Sequence, residues 1–422
     1  MFEFLLVFIF ALLWRISTKI SGTVFNSFLL VMGPYLLIII INNIFAINFG
    51  FFEITDDSIL VHMVAFASFF VGSALISNKK NSPEINRTLK NISLSDQIDM
   101  NDPVFLKLVH WFVTIVGIFC TIDVLLSIRT LNSIGMNNLE HLRIEGFLGH
   151  MLLAARIFVP VLLDVGIRKK NRNYLLSAML IIIVTFSSFT KYHIISLVLY
   201  LYVYFFWKNR KRIVQYTLLM IVGVFMLFSI NYLIDFLSKG LSADSYGSDF
   251  YFRHFWKYVA GGTIKVNQVV GNETVTYNAI DFITNNVFAY PNMFLRKFGL
   301  NVIKPIRDFG TAGGLTLVSN TARSNVISLL GQMYNSGAIF PFIGFTLLYG
   351  VVAQKCWDVV HFSRNLSKVL FAASILSFFL FSFFHNMWGG SIHPWELMIY
   401  AYILPLCFWK LTLYAKIKYN FE

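Results

Sequence analysis

The sequence predicts an all-α integral membrane protein with about eleven transmembrane helices and one large outer loop. Of the 422 residues, 57% are hydrophobic and 13% are charged, whereas soluble domains have about 25% charged residues. Apolar windows long enough to cross a bilayer recur along the chain, and lysine and arginine flank them to give a net charge of +13. Cations in such places are the usual signal of membrane topology. A soluble multidomain enzyme is therefore excluded.

Several windows have the length of about 20 residues that a helix needs to cross the hydrocarbon core. These are residues 24–47, 58–77, 104–127, 150–167, 213–234, 326–351, 366–386 and 395–413. Residues 2–14 are short for a span at about 1.5 Å per residue, so they form either a first span or an interfacial helix. We keep them as a span, with the amino terminus outside and the carboxyl terminus inside.

The stretch 175–207 decides the topology. Basic clusters at 168–172 and 208–212 flank it, and the positive-inside rule places both clusters in the cytoplasm. Only a hairpin of two short helices, with its turn at 187–193, satisfies this rule. Arms of about 15 residues reach only about 22 Å into a core about 30 Å thick. Lys191, in the turn, is therefore a candidate for binding substrate below the outer surface, unless its long stem carries the ammonium to the interface.

These windows divide the chain into a transmembrane bundle of about eight spans (1–234), a large outer loop that is partly amphipathic (235–325) and a second bundle of about three spans (326–422). Structureless loops longer than about 15 residues are normally functional. Long loops cross the membrane regardless of their charge, and the cations of this loop predict a negatively charged partner. They are Lys239, Arg253, Lys257, Lys265, Arg296, Lys297, Lys304, Arg307 and Arg323.

The first part of the outer loop is predicted to form an amphipathic helix at the membrane interface. In a helix, Asp249, Arg253 and Lys257 lie one turn apart on a single face, opposite aromatic residues. Two cations beside an apolar surface suit a lipid-linked phosphate. A surface ion pair between Asp249 and Arg253 is the alternative. The same stretch contains His254, which we count among the candidate catalytic residues.

Farther along the loop, the stretches 296–297 and 304–314 combine four cations with three glycines. Glycines let backbone N–H groups approach an anion closely, and arginine binds phosphate oxygens with two nitrogens. Arg296 and Arg307 are therefore candidate phosphate ligands. Alternatively, the loop folds back on itself and Asp308 neutralises Arg307.

The segment 384–396 joins the last two spans on the outer side and holds His385, His393 and Glu396. Imidazole titrates near neutral pH, so both histidines are candidate general bases. Packing in an aromatic belt is the alternative for this tryptophan-rich segment. Further zinc ligands cannot be identified here, and the three cysteines show no paired spacing. No metal site and no cofactor are predicted.

Two short patterns resemble the Wzy-type polymerases, which assemble O-antigen and capsular polysaccharides from lipid-linked repeat units. One is Lys-Tyr-Val-Ala-Gly-Gly at 257–262, which is similar to the beginning of that family's large periplasmic loop. The other is Ser-Asn-Val at 324–326, followed by Met-Tyr-Asn-Ser-Gly-Ala-Ile-Phe at 333–340. The resemblance marks Asn325 and Tyr334 as candidate substrate ligands. Where the family has an arginine in a short helix pair, this chain has Lys191, which keeps the charge and loses the bidentate fork.

The resemblance implies a glycosyltransferase in the bacterial cytoplasmic (inner) membrane with its active site facing outside. Its donor is a glycan on undecaprenyl pyrophosphate, and its acceptor is the terminal hydroxyl of another lipid-linked repeat unit. The implied partners are these glycans, membrane lipid, a chain-length regulator and a flippase, with no nucleic acid. Negative charge develops on the leaving pyrophosphate, so fixed cations nearby stabilise the transition state.

Two other functions stay open on the sequence. A flippase for the same lipid-linked sugar explains cations within the bundle, but such transporters usually have two related halves, and no repeat is visible here. A transferase similar to the O-antigen ligases shares the chemistry and uses a different acceptor, and the outer histidines suit it.

Overall fold

A computed structural model gives the fold of the chain. Apart from isolated residues, it describes the backbone at residues 2–77, 98–133, 146–187, 191–238, 248–271, 278–288, 316–320, 322–324, 326–337, 339–386 and 392–419. Nearly all of this is helical. In chain order the helices are α1 (Phe2–Ser21), α2 (Ser27–Ile44), α3 (Asp56–Ile76), α4 (Pro103–Ser133), α5 (Gly146–Arg156), α6 (Val159–Lys169), α7 (Arg172–Ser187), α8 (Lys191–Lys208), α9 (Ile213–Ser238), α10 (Ser248–Ile264), α11 (Val266–Gly271), α12 (Ala279–Ile283), α13 (Leu329–Asn335), α14 (Ile339–Phe362), α15 (Leu366–Leu380) and α16 (His393–Tyr419).

The prediction of a helical membrane protein is confirmed. Within the described ranges, α1, α2, α3, α4, α14 and α16 are long and apolar enough to cross a membrane, and the bent pair of α5 and α6 adds a seventh span if counted as one. Four further apolar helices are shorter, with 10–17 residues: α7, α8 from His193, α9 as far as Met226, and α15. The count of about eleven spans stays a prediction, because it requires these short helices to cross as well.

The chain forms two compact units that do not follow the three sequence segments. Unit 1 contains residues 1–85, 243–358 and 378–392, and unit 2 contains residues 86–242, 359–377 and 393–422. Each unit thus draws on both transmembrane segments.

In unit 1, glycines allow a close approach of α3 and α14. An added Cβ at Gly72 would lie 2.0 Å from the Leu347 carbonyl oxygen, and one at Gly350 would lie 2.1 Å from the Phe69 carbonyl oxygen. Glycine is therefore required on both helices, as in many helix pairs of membrane proteins. A hydrogen bond between the Ser68 and Thr346 hydroxyls joins the same two helices.

Gly350→Ala is expected to destabilise unit 1 strongly, because the added methyl would meet backbone that cannot rotate away. Overpacking of this kind costs about 1–3 kcal/mol. Gly344→Ala on the same helix is the matched control, since nothing lies within 4 Å of its added Cβ. Thermal unfolding of the detergent-purified variants measures both effects. Equal melting temperatures for the two variants would contradict the close helix contact.

Part of the predicted outer loop is attached to unit 1. The strands β1 (Thr316–Leu317) and β2 (Arg323–Ser324) pair in antiparallel fashion. The amide of Phe52, between α2 and α3, donates to the Val318 carbonyl at 3.0 Å. The Trp256 indole of α10 donates to the Asn42 side chain on α2 at 3.0 Å. The predicted helix thus exists, and its apolar side packs on protein.

In unit 2, the stretch 172–208 forms the two helices α7 and α8. Lys208, at the end of α8, lies 3.5 Å from Asp164 of α6, which also binds Arg168 at 3.0 Å. The beginning of α7 follows α6 directly, so the two basic clusters lie at the same end of this unit. We call it the basic end.

The last turn of α16 lies at the start of α4. Lys416 pairs with Asp102, which also accepts the amide hydrogens of Val104 and Phe105 at 2.9 and 3.1 Å. Partial burial opposes ionisation of Asp102, but these hydrogen bonds and the Lys416 charge hold the pKa of its carboxyl below its usual range.

Candidate functional site

A buried arginine stands at a break in the membrane-spanning helices of unit 2. Helix α5 ends at Arg156, and α6 begins at Val159 with a bend of 44° between them. Pro160 explains the break, because its ring has no N–H and clashes with the carbonyl four residues earlier, which belongs to Arg156. The Arg156 residue is only 3% exposed. A charge in such a place is costly and marks a functional site by default.

The first two turns of α8 bind this guanidinium. Nη2 donates to the His193 carbonyl at 2.7 Å and to Ser196 Oγ at 3.0 Å, while Nη1 lies 3.3 Å from His193 Nδ1. Arginine can only donate, so Nδ1 of His193 is the acceptor. The neutral imidazole therefore carries its hydrogen on Nε2, and Arg156 fixes the tautomer.

Glu396 lies between two histidines, His150 and His393. Glu396 Oε1 is 2.8 Å from Nδ1 of His150 on α5, and Oε2 is 3.7 Å from Nδ1 of His393. The His393 ring packs against that of His193 with 4.6 Å between centroids and an angle of 64°. The side chain of Glu396 is 13% exposed and that of His150 is 47% exposed. We name these six residues the arginine–histidine cluster: His150, Arg156, His193, Ser196, His393 and Glu396.

The cluster lies away from the basic end of unit 2. His193 and Glu396 belong to the first turns of α8 and α16, whereas the opposite ends of these helices carry Lys208 and Lys416. A charged guanidinium, a carboxylate and three imidazoles here can bind an anion and transfer a proton. Within the described ranges, no group of three or more histidine, cysteine, aspartate or glutamate side chains is placed to hold a metal ion.

No family model matches this chain, and neither a curated protein nor a solved structure gives a significant match.

Unit 1 holds the other candidate residues, around the end of α10. The paired glycines let this helix touch the backbone that follows α15: an added Cβ at Gly262 would lie 2.1 Å from the Phe384 carbonyl oxygen. At Gly261 the added Cβ would lie 3.0 Å from Ser324 Oγ. Thr263 donates to the Phe383 carbonyl at 3.2 Å. The glycine pair of the resemblance therefore has a packing role.

A buried amide network fixes the turn that carries His385. The Asn386 side chain donates to Asn286 at 2.6 Å and also to Gln332. Loss of solvation lowers the pKa of His385 to about 4, although a hydrogen bond to the Ile327 carbonyl opposes this shift. The imidazole is thus neutral at pH 7 and is a weaker base than a free histidine.

Arg253 and Lys257 lie one turn apart on α10, and both are half-buried. Within the described ranges, the buried Nε atom of Arg253 has no hydrogen-bond partner. The ammonium of Lys257 is 5.5 Å from the centroid of the Tyr258 ring. Such an arginine is suited to an acceptor from outside the chain, such as a phosphate oxygen.

Lys265 follows α10 and was predicted only as one of the loop cations. It is 1% exposed, and burial lowers its pKa to about 8. Its charge is present at pH 7 and is lost as the pH rises through 8. Only the structure distinguishes it from the other loop cations, because burial at the end of α10 cannot be read from the sequence.

The structure describes some of the other predicted residues and not the rest. The backbones of Lys191 and His254 belong to α8 and α10, but their side chains are not among those that the structure describes. Arg323 is exposed on β2, and Tyr334 packs edge-on against Phe342 at 5.5 Å. Arg296, Arg307 and Asn325 lie outside the described residues.

Of the three predicted catalytic histidines, only His393 belongs to the arginine–histidine cluster. His385 is in unit 1. Sequence reasoning missed Arg156 and His150, although Arg156 lies inside the apolar window 150–167 and His150 is its first residue. An ionisable residue inside a predicted span was the signal that could have found them.

Proposed function

We propose that this chain is a polymerase that joins undecaprenyl-pyrophosphate-linked oligosaccharide repeat units into O-antigen or capsular polysaccharide. The arginine–histidine cluster is the observation that carries the proposal. It combines a buried cation, which suits a lipid-linked pyrophosphate, with imidazoles and a carboxylate, which suit a sugar hydroxyl. The pyrophosphate and the sugar hydroxyl of a lipid-linked glycosyl transfer thus each have suitable binding groups within one membrane-spanning unit.

The reaction explains why cations are needed. The acceptor oxygen attacks the anomeric carbon, and the lipid pyrophosphate leaves with the electron pair of the broken bond. Fixed positive charges stabilise this leaving group more in the transition state than in the ground state. Arg156 is such a charge, because three hydrogen bonds hold it in place. As a separate proposal for the outer loop, Arg253 and Lys257 of α10, with Arg296 and Arg307, bind a lipid-linked phosphate.

The proposed orientation places the cluster on the outer face of the bacterial inner membrane. It follows from the positive-inside rule, since the basic end of unit 2 carries the clusters at 168–172 and 208–212. The resemblance at 257–262, 324–326 and 333–340 supports the same function. Lipid-linked units flipped to the outer face are the substrates, so a flippase and a chain-length regulator are the proposed partners.

Glycan analysis of host cells with and without the gene tests the proposal. Loss of the gene is expected to leave single repeat units on the surface and to remove long chains, because export and ligation of one unit continue. Loss of all exported units would instead indicate a flippase. Unchanged chain length would refute the polymerase.

A ligase-like transferase is the second candidate, and the three histidines of the cluster favour it equally. It uses the same donor and transfers the finished glycan to a different acceptor. Accumulation of long chains on undecaprenyl pyrophosphate in the deletion strain would identify this function, since polymerisation would then be intact.

A further inference from the structure

We propose that His150 is the general base that activates the acceptor hydroxyl and that Glu396 positions it. The inference rests on the proposed function and assigns a role in it to a residue that the sequence patterns did not mark. Its structural basis is the hydrogen-bonded pair of His150 and Glu396, which joins α5 to the first turn of α16.

The carboxylate sets the tautomer of this histidine. Glu396 Oε1 lies 2.8 Å from Nδ1 of His150, and an ionised carboxylate can only accept, so Nδ1 carries the hydrogen. Nε2 is then the acceptor with a lone pair. The His150 side chain is 47% exposed, and the proposal assigns Nε2 as the atom that meets the substrate hydroxyl. This is the arrangement in which a carboxylate orients an imidazole base and stabilises the imidazolium that forms.

The other two histidines of the cluster are less suited to the role. His193 already gives its acceptor nitrogen Nδ1 to Arg156. His393 has its Nδ1 at 3.7 Å from Glu396 Oε2, which is beyond hydrogen-bond distance. The geometry therefore selects His150.

The glycosyl transfer forms one bond, breaks one bond and moves one proton. The acceptor oxygen forms a bond to the anomeric carbon as its proton passes to His150 Nε2. The bond between the anomeric carbon and the pyrophosphate oxygen breaks, and the lipid pyrophosphate takes the electron pair. Glu396 stabilises the imidazolium, which then releases its proton to water. No oxidant, reductant or further reactant takes part.

The test uses the full-length protein in liposomes with undecaprenyl-pyrophosphate-linked repeat units as substrate. His150→Gln is expected to lower kcat about 100- to 10,000-fold, the usual contribution of a general base, with KM changed by less than about threefold. His150→Ala is expected to regain part of its kcat on addition of free imidazole. Such rescue also shows that the variant is folded.

Glu396 acts through His150, so its variants have a different pattern. Glu396→Gln is expected to lower kcat at an unchanged KM without rescue by imidazole, and Glu396→Asp is expected to restore part of the rate. His110→Gln is the matched control. That histidine bonds Ser177 Oγ at 2.7 Å on α4 and α7, toward the basic end, and its replacement is expected to leave kcat unchanged.

Wild-type kcat in His150→Gln would overturn the inference. An inactive Glu396→Gln beside an active His150→Gln would also overturn it and would make the carboxylate the base. In both cases an active wild-type protein leaves the proposed function standing. A wild-type protein that joins no units would overturn the proposed function and this inference with it.

Discussion

Replacement of Arg156 by alanine is expected to lower the rate of polymerisation about 100- to 1000-fold. Loss of one electrostatic contact to a developing charge costs about 2.7–4 kcal/mol of transition-state stabilisation. In Arg156→Ala the buried positive charge disappears, and His193 loses the donor that fixes its tautomer. The rate is measured as polymer formed per unit of inserted protein, in liposomes with lipid-linked repeat units.

Two further variants separate charge from folding. Arg156→Lys keeps the charge but cannot bind the His193 carbonyl and Ser196 in the same geometry, so partial activity is expected. Arg168→Ala is the control on the adjoining helix α6, because it removes a cation at the basic end whose side chain is 45% exposed. The buried Asp164 carboxylate keeps Lys208 as a partner at 3.5 Å. Wild-type rates in both Arg156 variants would contradict the role of the cluster.

Neutralising Arg253 or Lys257 is expected to slow polymerisation by a similar factor of about 100 to 1000. The buried Nε of Arg253 has no partner in the described part of the chain, which suits a phosphate oxygen as its acceptor. If Arg253 instead forms only a surface pair with Asp249, its replacement costs at most about 1 kcal/mol of stability and leaves polymer length unchanged.

Polymer length on a gel, normalised to the amount of membrane protein, distinguishes these outcomes. Lys19→Ala on α1 is the control, because this lysine is exposed and belongs to the same unit. Wild-type length in Arg253→Ala and Lys257→Ala would refute the assignment of α10 to pyrophosphate binding.

Helix positions were predictable because apolar length is what a bilayer requires. The window at 104–127 and the helix Pro103–Ser133 agree in this way. The first helix is longer than its window of 2–14, because Arg15 and Lys19 continue it as far as Ser21. Hydropathy marks the apolar part of a helix and does not mark its end.

The break inside the window 150–167 was missed. Average hydropathy stays high across Arg156 and Pro160, so a single helix was predicted where two short ones meet at 44°. Proline within a predicted span was the available signal. The break places Arg156 beside the first two turns of α8, where it donates to His193 and Ser196.

For the candidate site, the sequence predicted the types of functional group and not which helices bring them together. The sequence placed His393 and Glu396 in one outer segment, and the structure puts them three residues apart in the first turn of α16. The sequence could not show that His150 and His193 meet them, since partners on other helices leave no spacing pattern. Likewise, the glycine pair at 261–262 signals a close approach, but its partner at Phe384 is known only from packing.

Reconstitution of the purified chain with lipid-linked repeat units tests the central claim most directly. Liposomes that contain only this protein and undecaprenyl-pyrophosphate-linked units are expected to yield a ladder of longer glycans on the lipid, with release of undecaprenyl pyrophosphate. The ladder is expected to vanish in Arg156→Ala and to persist in Arg168→Ala. Single units that remain unjoined, or that merely change sides of the bilayer, would contradict the account.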